Sequence, residues 1–425
     1  MKVRVNPNEI KGSITIPPSK SYAHRILMCA SLSSKSCVVK NLVLNDDVSA
    51  TMGILEKLGA RFEPLGDNSY KVYPIDRQNI SKNLELFACE SGSTLRFMLP
   101  VLSALGVEAT VDGKEGLRRR PIKLLLDVLR EKGATIDGDA LPVKMSGGLV
   151  SGVYEVDATQ SSQNLTGLMF ALSLLDGDSE IVLKGTQVSK GYVDITLEVM
   201  KEFGVKIEKT PSGYKVKGCA KFTAPSEIFV EGDYSSACFH IALGSLVGDI
   251  RLDGLKRDSS QGDKEMIGVI QKMGGDLKWE GNFLVIKKSN LKAVSIDATD
   301  IPDAIPIISV CCACSEGVSK IIGVDRLKIK ESDRLKAVMD ILGAFGVSSS
   351  YSDNTLFIVG GKSKTEKDIV IDGYNDHRIV MSAVVMAIIR GESCVVTDAQ
   401  AINKSYPAFF EDLKRIGGEN IAELF

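Results

Sequence analysis

Apolar residues recur at three- and four-residue spacing in six segments of this chain, each running into a glycine and each followed by extended stretches around a polar turn. The first, ATMGILEKLGARF from Ala50, puts Ile54, Leu55 and Leu58 on one side, as an amphipathic helix requires. LLLDVLREKGATI from Leu124, TLEVMKEFGVKI from Thr196, EMIGVIQKMGGDL from Glu265, LKAVMDILGAFGV from Leu335 and FFEDLKRIGGEN from Phe409 repeat the pattern. Gly59, Gly133, Gly204, Gly274, Gly346 and Gly417 close these helices at intervals of 70 to 74 residues, each where a left-handed terminus is expected.

A second helix recurs in the same phase, opened by a polar cluster and continued by small and apolar residues. Its starts read PSKSYAHR, ESGSTLRF, TQSSQNLT, EGDYSSAC, IPDAIPII and NDHRIVMS, with Ser21, Ser93, Ser162, Ser235, Asp303 and His377 as markers 68 to 74 residues apart. Two agreeing periodicities define six βαβαββ modules, which divide naturally into two domains of three. The sixth copy stops soon after its glycine, so the N-terminal strand Lys2 to Val5 is expected to complete the last domain.

Composition narrows the function. The chain has 425 residues, 44% hydrophobic and 25% charged, enough for two large cores. Lys and Arg number 52 against 54 Asp and Glu, a net charge of -2 that lacks the basic excess of a nucleic-acid binder, so any anion site must be a local cluster. Nine cysteines without paired spacing point to reduced thiols and a cytoplasmic location. Cys311, Cys312 and Cys314 lie in an apolar stretch and read as helix packing, not a metal site. Met1 to Gly12 lacks the apolar run of a signal peptide, and the apolar run Ile379 to Ile389 is too short to cross a bilayer.

Helix N-termini carry unpaired N–H groups and partial positive charge, so six repeated starts offer places for anions. Lys20 and Arg25 flank the first start, Arg96 follows the second, and Arg378 lies in the sixth. Arg118, Arg119 and Arg120 precede a helix, Lys330 and Arg334 lie in IKESDRLK, and Lys404 lies in INKSYP.

At PPSKSYAHR, ESGSTLRF, RRRPI, SSQNLTGL, IPDA, IKESDR and YNDHR, taken in order over nearly the whole chain, the sequence resembles the 5-enolpyruvylshikimate-3-phosphate synthase family of enolpyruvyl transferases. The resemblance implies an α/β fold of two inside-out barrel domains, each of three βαβαββ units, with the active site in the interdomain cleft. One domain is expected over 1–17 and 231–425, the other over 18–230. It further implies transfer of the enolpyruvyl group of phosphoenolpyruvate to the 5-hydroxyl of shikimate 3-phosphate, by a monomer needing no metal or other cofactor, nucleic acid or membrane.

By the same resemblance Lys20, Ser21, Arg25, Ser161, Ser162, Gln163, Ser189, Tyr192, Asp303 and Lys330 serve shikimate 3-phosphate. Lys20, Gly92, Arg120, Gln163, Arg334, Arg378 and Lys404 serve phosphoenolpyruvate. Asp303 would take the hydroxyl proton. Glu331 or Lys20 would protonate the methylene carbon, and the residues leave that choice open. Asp303 also suits an N-cap, Asp46 and Asp47 suit caps of the first Gly-ended helix, and Arg96 suits ion pairing within a domain.

Glu90 and Ser93 depart from the family pattern, and Glu90 should point toward a cation or away from the site. Two other functions fit the scaffold. The sister enzyme acting on a UDP-sugar usually carries a cysteine in the loop matching Asp112 to Pro121, and this loop has none. A non-catalytic anion-binding protein would not need Asp303 and Glu331.

Overall fold

The computed structural model describes residues 1–361 and 368–425. The chain divides into two units, Pro18–Glu231 and the pair of segments Met1–Pro17 and Gly232–Phe425. The expected boundary at 230/231 falls one residue later, for a local reason. The Glu231 carbonyl accepts from Ser19 N at 2.7 Å, whereas Gly232 N donates to the Gly254 carbonyl.

Among the described residues there are six sheets of four strands. The third module shows the plan. Strand Val153–Asp157 leads to helix Ser162–Leu172 and then to the parallel strand Ser179–Lys184. Helix Lys190–Glu202 follows, and the hairpin Glu208–Thr210/Gly213–Val216 joins antiparallel. Along the first strand Tyr154 and Val156 are buried while Val153 and Glu155 are exposed, the two-residue period of a half-covered sheet.

The two kinds of helix differ in burial. Helices Gly92–Ala104 and Ser162–Leu172 are buried almost all round, and Lys20–Ser31 is buried from Tyr22 onward. Helices Asp46–Lys57, Lys123–Glu131 and Lys190–Glu202 bury one face each. A helix apolar on every side belongs inside, so the marker-opened helices form the centre and the sheets lie outside them. Gly167 permits close helix contact: a Cβ there would stand 2.1 Å from the Arg96 carbonyl oxygen.

In the other unit the equivalent central helices are Tyr234–Leu246, Ile305–Ala313 and His377–Arg390. Cys311 and Cys312 are buried in the second of these, and all nine cysteines are free thiols. Strand Val3–Val5 pairs with Cys394–Val396 and Ala422–Leu424, completing the sixth sheet as expected.

The structure corrects two details of the repeat. Five of the named glycines have positive φ, but Gly417 remains in helix Phe409–Gly417 and Gly418, at φ 86°, supplies the turn. Gly417 is small for packing, since a Cβ would meet Ile421 Cδ1 at 2.2 Å and Ile10 Cδ1 at 2.9 Å. The modules also exchange strands where the chain passes between units. Lys11–Thr15, which precedes the first module, pairs with Asp249–Asp253 of the fourth, and Glu227–Phe229 pairs with Cys37–Lys40 of the first. No helix among the described residues is long and apolar enough to cross a membrane.

Candidate active site

In the unit Pro18–Glu231 the three central helices start at serine caps. Ser19 accepts from Tyr22 N, Ser91 from Thr94 N and Ser161 from Gln163 N. Neutral caps satisfy one donor each and leave the partial positive charge of the helix end in place. Lys20 stands on the first turn, with Nζ 2.7 Å from Asp47 Oδ2. Asp47 was expected as a cap, but Asn45 caps that helix by accepting from Val48 N, so the Asp47 carboxylate holds Lys20.

Arg25 lies one turn deeper. Its Nε donates to Thr196 Oγ1 at 2.8 Å, Nη1 to the Ser21 carbonyl at 2.9 Å, and Nη2 to the Tyr192 carbonyl at 2.9 Å. Burial lowers its pKa to about 10, still charged at neutral pH. Arg25 therefore ties Ser21 to the start of helix Lys190–Glu202, where buried Ser189 holds a left-handed backbone at φ 54°.

The second helix start gathers two guanidinium groups. A Cβ on Gly92 would lie 2.5 Å from Arg120 Nη1 and 2.8 Å from Arg96 Nη1, so only glycine leaves them in place. Arg118 and Arg119 pair outward with Asp112 and Glu115, while Arg120 turns inward and its buried Nε has no hydrogen-bond partner. Arg96 was expected to serve ion pairs; its hydrogen bonds run instead to neutral acceptors, Gln163 Oε1 at 3.2 Å and the Pro121 carbonyl at 3.0 Å. Burial and then the neighbouring Arg120 bring Arg96 down to about 9. Like charges gathered at a positive helix end are costly unless an anion joins them. Gln163 Nε2 also donates to Ser93 Oγ at 2.9 Å, bridging the second and third helix starts beside Ser161 and Ser162. Glu90 Oε1 approaches Gly116 in the 112–121 loop, 3.1 Å from where a Cβ would sit.

In the unit containing Gly232–Phe425, Arg334 is a hub. Its Nε donates to Asp376 Oδ2 at 2.7 Å, Nη1 to Asp303 Oδ1 at 2.7 Å, and Nη2 to Glu331 Oε2 at 2.8 Å. Lys330 Nζ is 3.3 Å and Arg378 Nε 3.7 Å from the same Asp303 oxygen. Helix Ile305–Ala313 has Ala304 at its cap position, so Asp303 serves these cations and not the helix end. Burial would raise Asp376, yet Arg334 overrides it and holds that carboxyl below its ordinary value. Lys404 Nζ donates to the Asn375 carbonyl, joining the loop ahead of helix His377–Arg390.

Donor atoms of Glu331, Asp376 and His377 lie within 4.8 Å of one another, a spacing compatible with a metal. Arg334 already lies against both carboxylates, so the cluster's cation is a guanidinium. One residue escaped the sequence reading. Asp263 is buried, accepts from Ser235 Oγ, and has an Oδ1 without a hydrogen-bond partner. Burial raises it to about 6, with Arg378 opposing and Asp303 reinforcing. Only its position beside the fourth helix start could have signalled it.

Solved structures share this architecture. An EPSP synthase from Acinetobacter baumannii superposes with a TM-score of 0.83 at 24% identity, covering 99% of each chain. The enolpyruvyl transferase NikO from Streptomyces tendae gives 0.78 at 16%, covering 99% of this chain and 98% of its own. These place the fold among those of enolpyruvyl transferases. At the level of sequence, the family described as EPSP synthase (3-phosphoshikimate 1-carboxyvinyltransferase) matches residues 5–413. Proteins named 3-phosphoshikimate 1-carboxyvinyltransferase from Clostridium novyi and Clostridium acetobutylicum are 37% and 38% identical, each covering 98% of this chain and 97% of its own length. The chain belongs to the EPSP synthase family.

Proposed function

We propose that this chain transfers the enolpyruvyl group of phosphoenolpyruvate to the 5-hydroxyl of shikimate 3-phosphate, within the shikimate pathway leading to chorismate and the aromatic amino acids. The observation that carries the reading is the cationic helix start built from Gly92, Arg96 and Arg120, in a chain that also holds the Asp303–Arg334–Glu331 cluster. Asp303 takes the proton of the 5-hydroxyl as its oxygen bonds to C2 of phosphoenolpyruvate, and C3 gains a proton. The tetrahedral adduct then loses a C3 proton while the C2–O bond to phosphate breaks, giving enolpyruvyl product and inorganic phosphate.

Each side chain has a task suited to its type. Arg120, Arg378 and Lys404 oppose the phosphate and carboxylate charges of phosphoenolpyruvate, aided by Gln163 and by the close approach that Gly92 allows. Arg334 has four of its five N–H groups on carboxylates, which leaves one Nη1 N–H to touch that substrate without exchange. Lys20, Ser21, Arg25, Ser161, Ser162, Gln163, Ser189, Tyr192 and Lys330 serve shikimate 3-phosphate. Lys20 and Glu331 are the two groups for proton transfer at C3.

The reading is of a cytoplasmic monomer without metal or other cofactor; the nine free thiols support a reducing compartment, and sedimentation at one-chain mass checks the monomer. Phosphate release from phosphoenolpyruvate is the test. Release with shikimate 3-phosphate and none with UDP-N-acetylglucosamine is expected. The reverse result selects the UDP-sugar enzyme, and release with neither acceptor selects an anion-binding protein.

A further inference from the structure

Behind the Gly92 helix start runs a buried chain of polar groups that the reaction does not call on. His24 Nδ1 lies 2.7 Å from Thr51 Oγ1, and Thr51 Oγ1 lies 2.7 Å from Thr94 Oγ1. Thr94 Oγ1 donates to Ser91 Oγ at 2.7 Å, with the Asp47 carbonyl as a longer second acceptor at 3.3 Å. His24, Thr51, Thr94 and Ser91 are all fully inaccessible to solvent.

Counting protons fixes the direction of every bond. Thr94 has one hydroxyl proton, spent on Ser91 and Asp47, so toward Thr51 it can only accept. Thr51 must then donate to Thr94, which leaves its oxygen to accept from His24. His24 is consequently the tautomer protonated at Nδ1. Its Nε2 is buried without a hydrogen-bond partner, and burial lowers the ring's pKa to about 3, so it stays neutral.

The far end of the chain has chemical meaning. Ser91 Oγ accepts both from Thr94 Oγ1 and from Thr94 N, so both of its lone pairs are occupied. Its lone pairs, which would repel an anion at this helix start, are thus turned inward, and the hydroxyl itself is closed to any ligand. The same threonine touches the backbone of Asp47, whose carboxylate holds Lys20.

We propose that His24, Thr51 and Thr94 are positioning residues: a proton-ordered relay that locks the Ser91 cap and so holds the Gly92 helix start ready for an anionic substrate. The inference deepens the proposed function, with phosphoenolpyruvate as the anion served by that helix start.

The chain has three histidines, so the 15N spectrum of the histidine-labelled protein can be assigned by single substitution. In the unmodified protein His24 should show a protonated Nδ1 and no titration between pH 5 and 8, a window taken about its ordinary value of roughly 6.5. A proton on Nε2 overturns the relay whatever the enzyme's activity. Thr94→Val should raise KM for phosphoenolpyruvate about tenfold, the scale of one buried hydrogen bond, while kcat and KM for shikimate 3-phosphate change less than about threefold. Thr94→Ser should restore it, and Thr51→Val should move the His24 proton. Unchanged KM in a folded Thr94→Val protein, or failure of Thr94→Ser to restore it, refutes the positioning role. Should the unmodified protein release no phosphate, the proposed reaction falls, while the His24 spectrum still decides the relay.

Discussion

Gly92→Ala isolates the cationic helix start with a single methyl group. Gly92 is not among the glycines with positive φ, so alanine meets no backbone strain, and as a helix former it is favoured there by up to about 1 kcal/mol. The new Cβ would stand 2.5 Å from Arg120 Nη1 and 2.8 Å from Arg96 Nη1, so both guanidiniums must withdraw to reach ordinary contact, Arg120 by about 1 Å and Arg96 by somewhat less. Arg96, held by Gln163 and Pro121, needs only the smaller shift, whereas half-buried Arg120 takes the larger one. A charge-assisted hydrogen bond contributes about 1.5–3 kcal/mol, and partial exposure of Arg120 favours the lower end. KM for phosphoenolpyruvate should therefore rise about tenfold or somewhat more, with KM for shikimate 3-phosphate and the melting temperature nearly unchanged. Initial rates of phosphate release at varied phosphoenolpyruvate, with a thermal melt alongside, read this directly. A phosphoenolpyruvate KM within twofold of the unmodified enzyme, or an equal rise for both substrates, would refute the assignment of Gly92, Arg96 and Arg120 to that anion.

Asp303→Asn should lower turnover at least about a hundredfold, the usual scale for a general base, while shikimate 3-phosphate binding by calorimetry changes little; equal losses would mark a binding residue. Arg334→Met leaves Asp303, Glu331 and Asp376 without their shared cation and should cost about 3–5 kcal/mol in urea unfolding. A loss below about 1 kcal/mol would show that the carboxylates find other partners and that Arg334 is no hub. Asp263, raised to about 6 mainly by burial, binds its proton more tightly folded than unfolded. Its stabilising contribution is full below the unfolded value of roughly 3.9 and is lost as pH rises through 6. Asp263→Asn should then be about 3 kcal/mol more stable than the unmodified protein at pH 7.5, with the gap closing near pH 4. A gap independent of pH would exclude titration of Asp263 as its source.

The repeat was legible because burial writes itself into sequence. Central helices such as Ser162–Leu172 carry small and apolar residues all round, while the Gly-ended helices show one stripe, as Leu125, Leu126 and Leu129 do. Strand exchange left no such mark. Lys11–Thr15 and Glu227–Phe229 bury only Ile14 and Ile228, a pattern that serves any parallel neighbour, and only pairing decides which sheet receives them. The shift from Gly417 to Gly418 was equally hidden, since adjacent glycines satisfy the same cap rule and contact with Ile10 and Ile421 selects between them. At the site, motif order brought out Lys20, Gly92, Arg120, Asp303 and Arg334. It could not show that Arg25 and Arg334 are almost wholly engaged by the protein, that Asp47 serves Lys20, or that Asp263 is a buried carboxylate beside the same cluster.

Reading the six helix starts as equivalent anion sites fails on one residue per start. Ser19, Ser91 and Ser161 cap three of them with neutral oxygens, whereas Asp233 and Asp376 cap two of the others with carboxylates. A helix end attracts an anion by about 0.3–1 kcal/mol, and a carboxylate capping it uses that attraction up. Arg334 stands against the capping Asp376, and Arg378 lies near Asp303, so a substrate anion there meets carboxylates already in place, while Arg96 and Arg120 face the uncompensated end beside Gly92. The register of the repeat therefore makes the positions alike, and the cap divides their work. Serine-capped starts leave the helix-end charge to an anion, whereas the Asp376-capped start sits in a carboxylate cluster whose cation is Arg334.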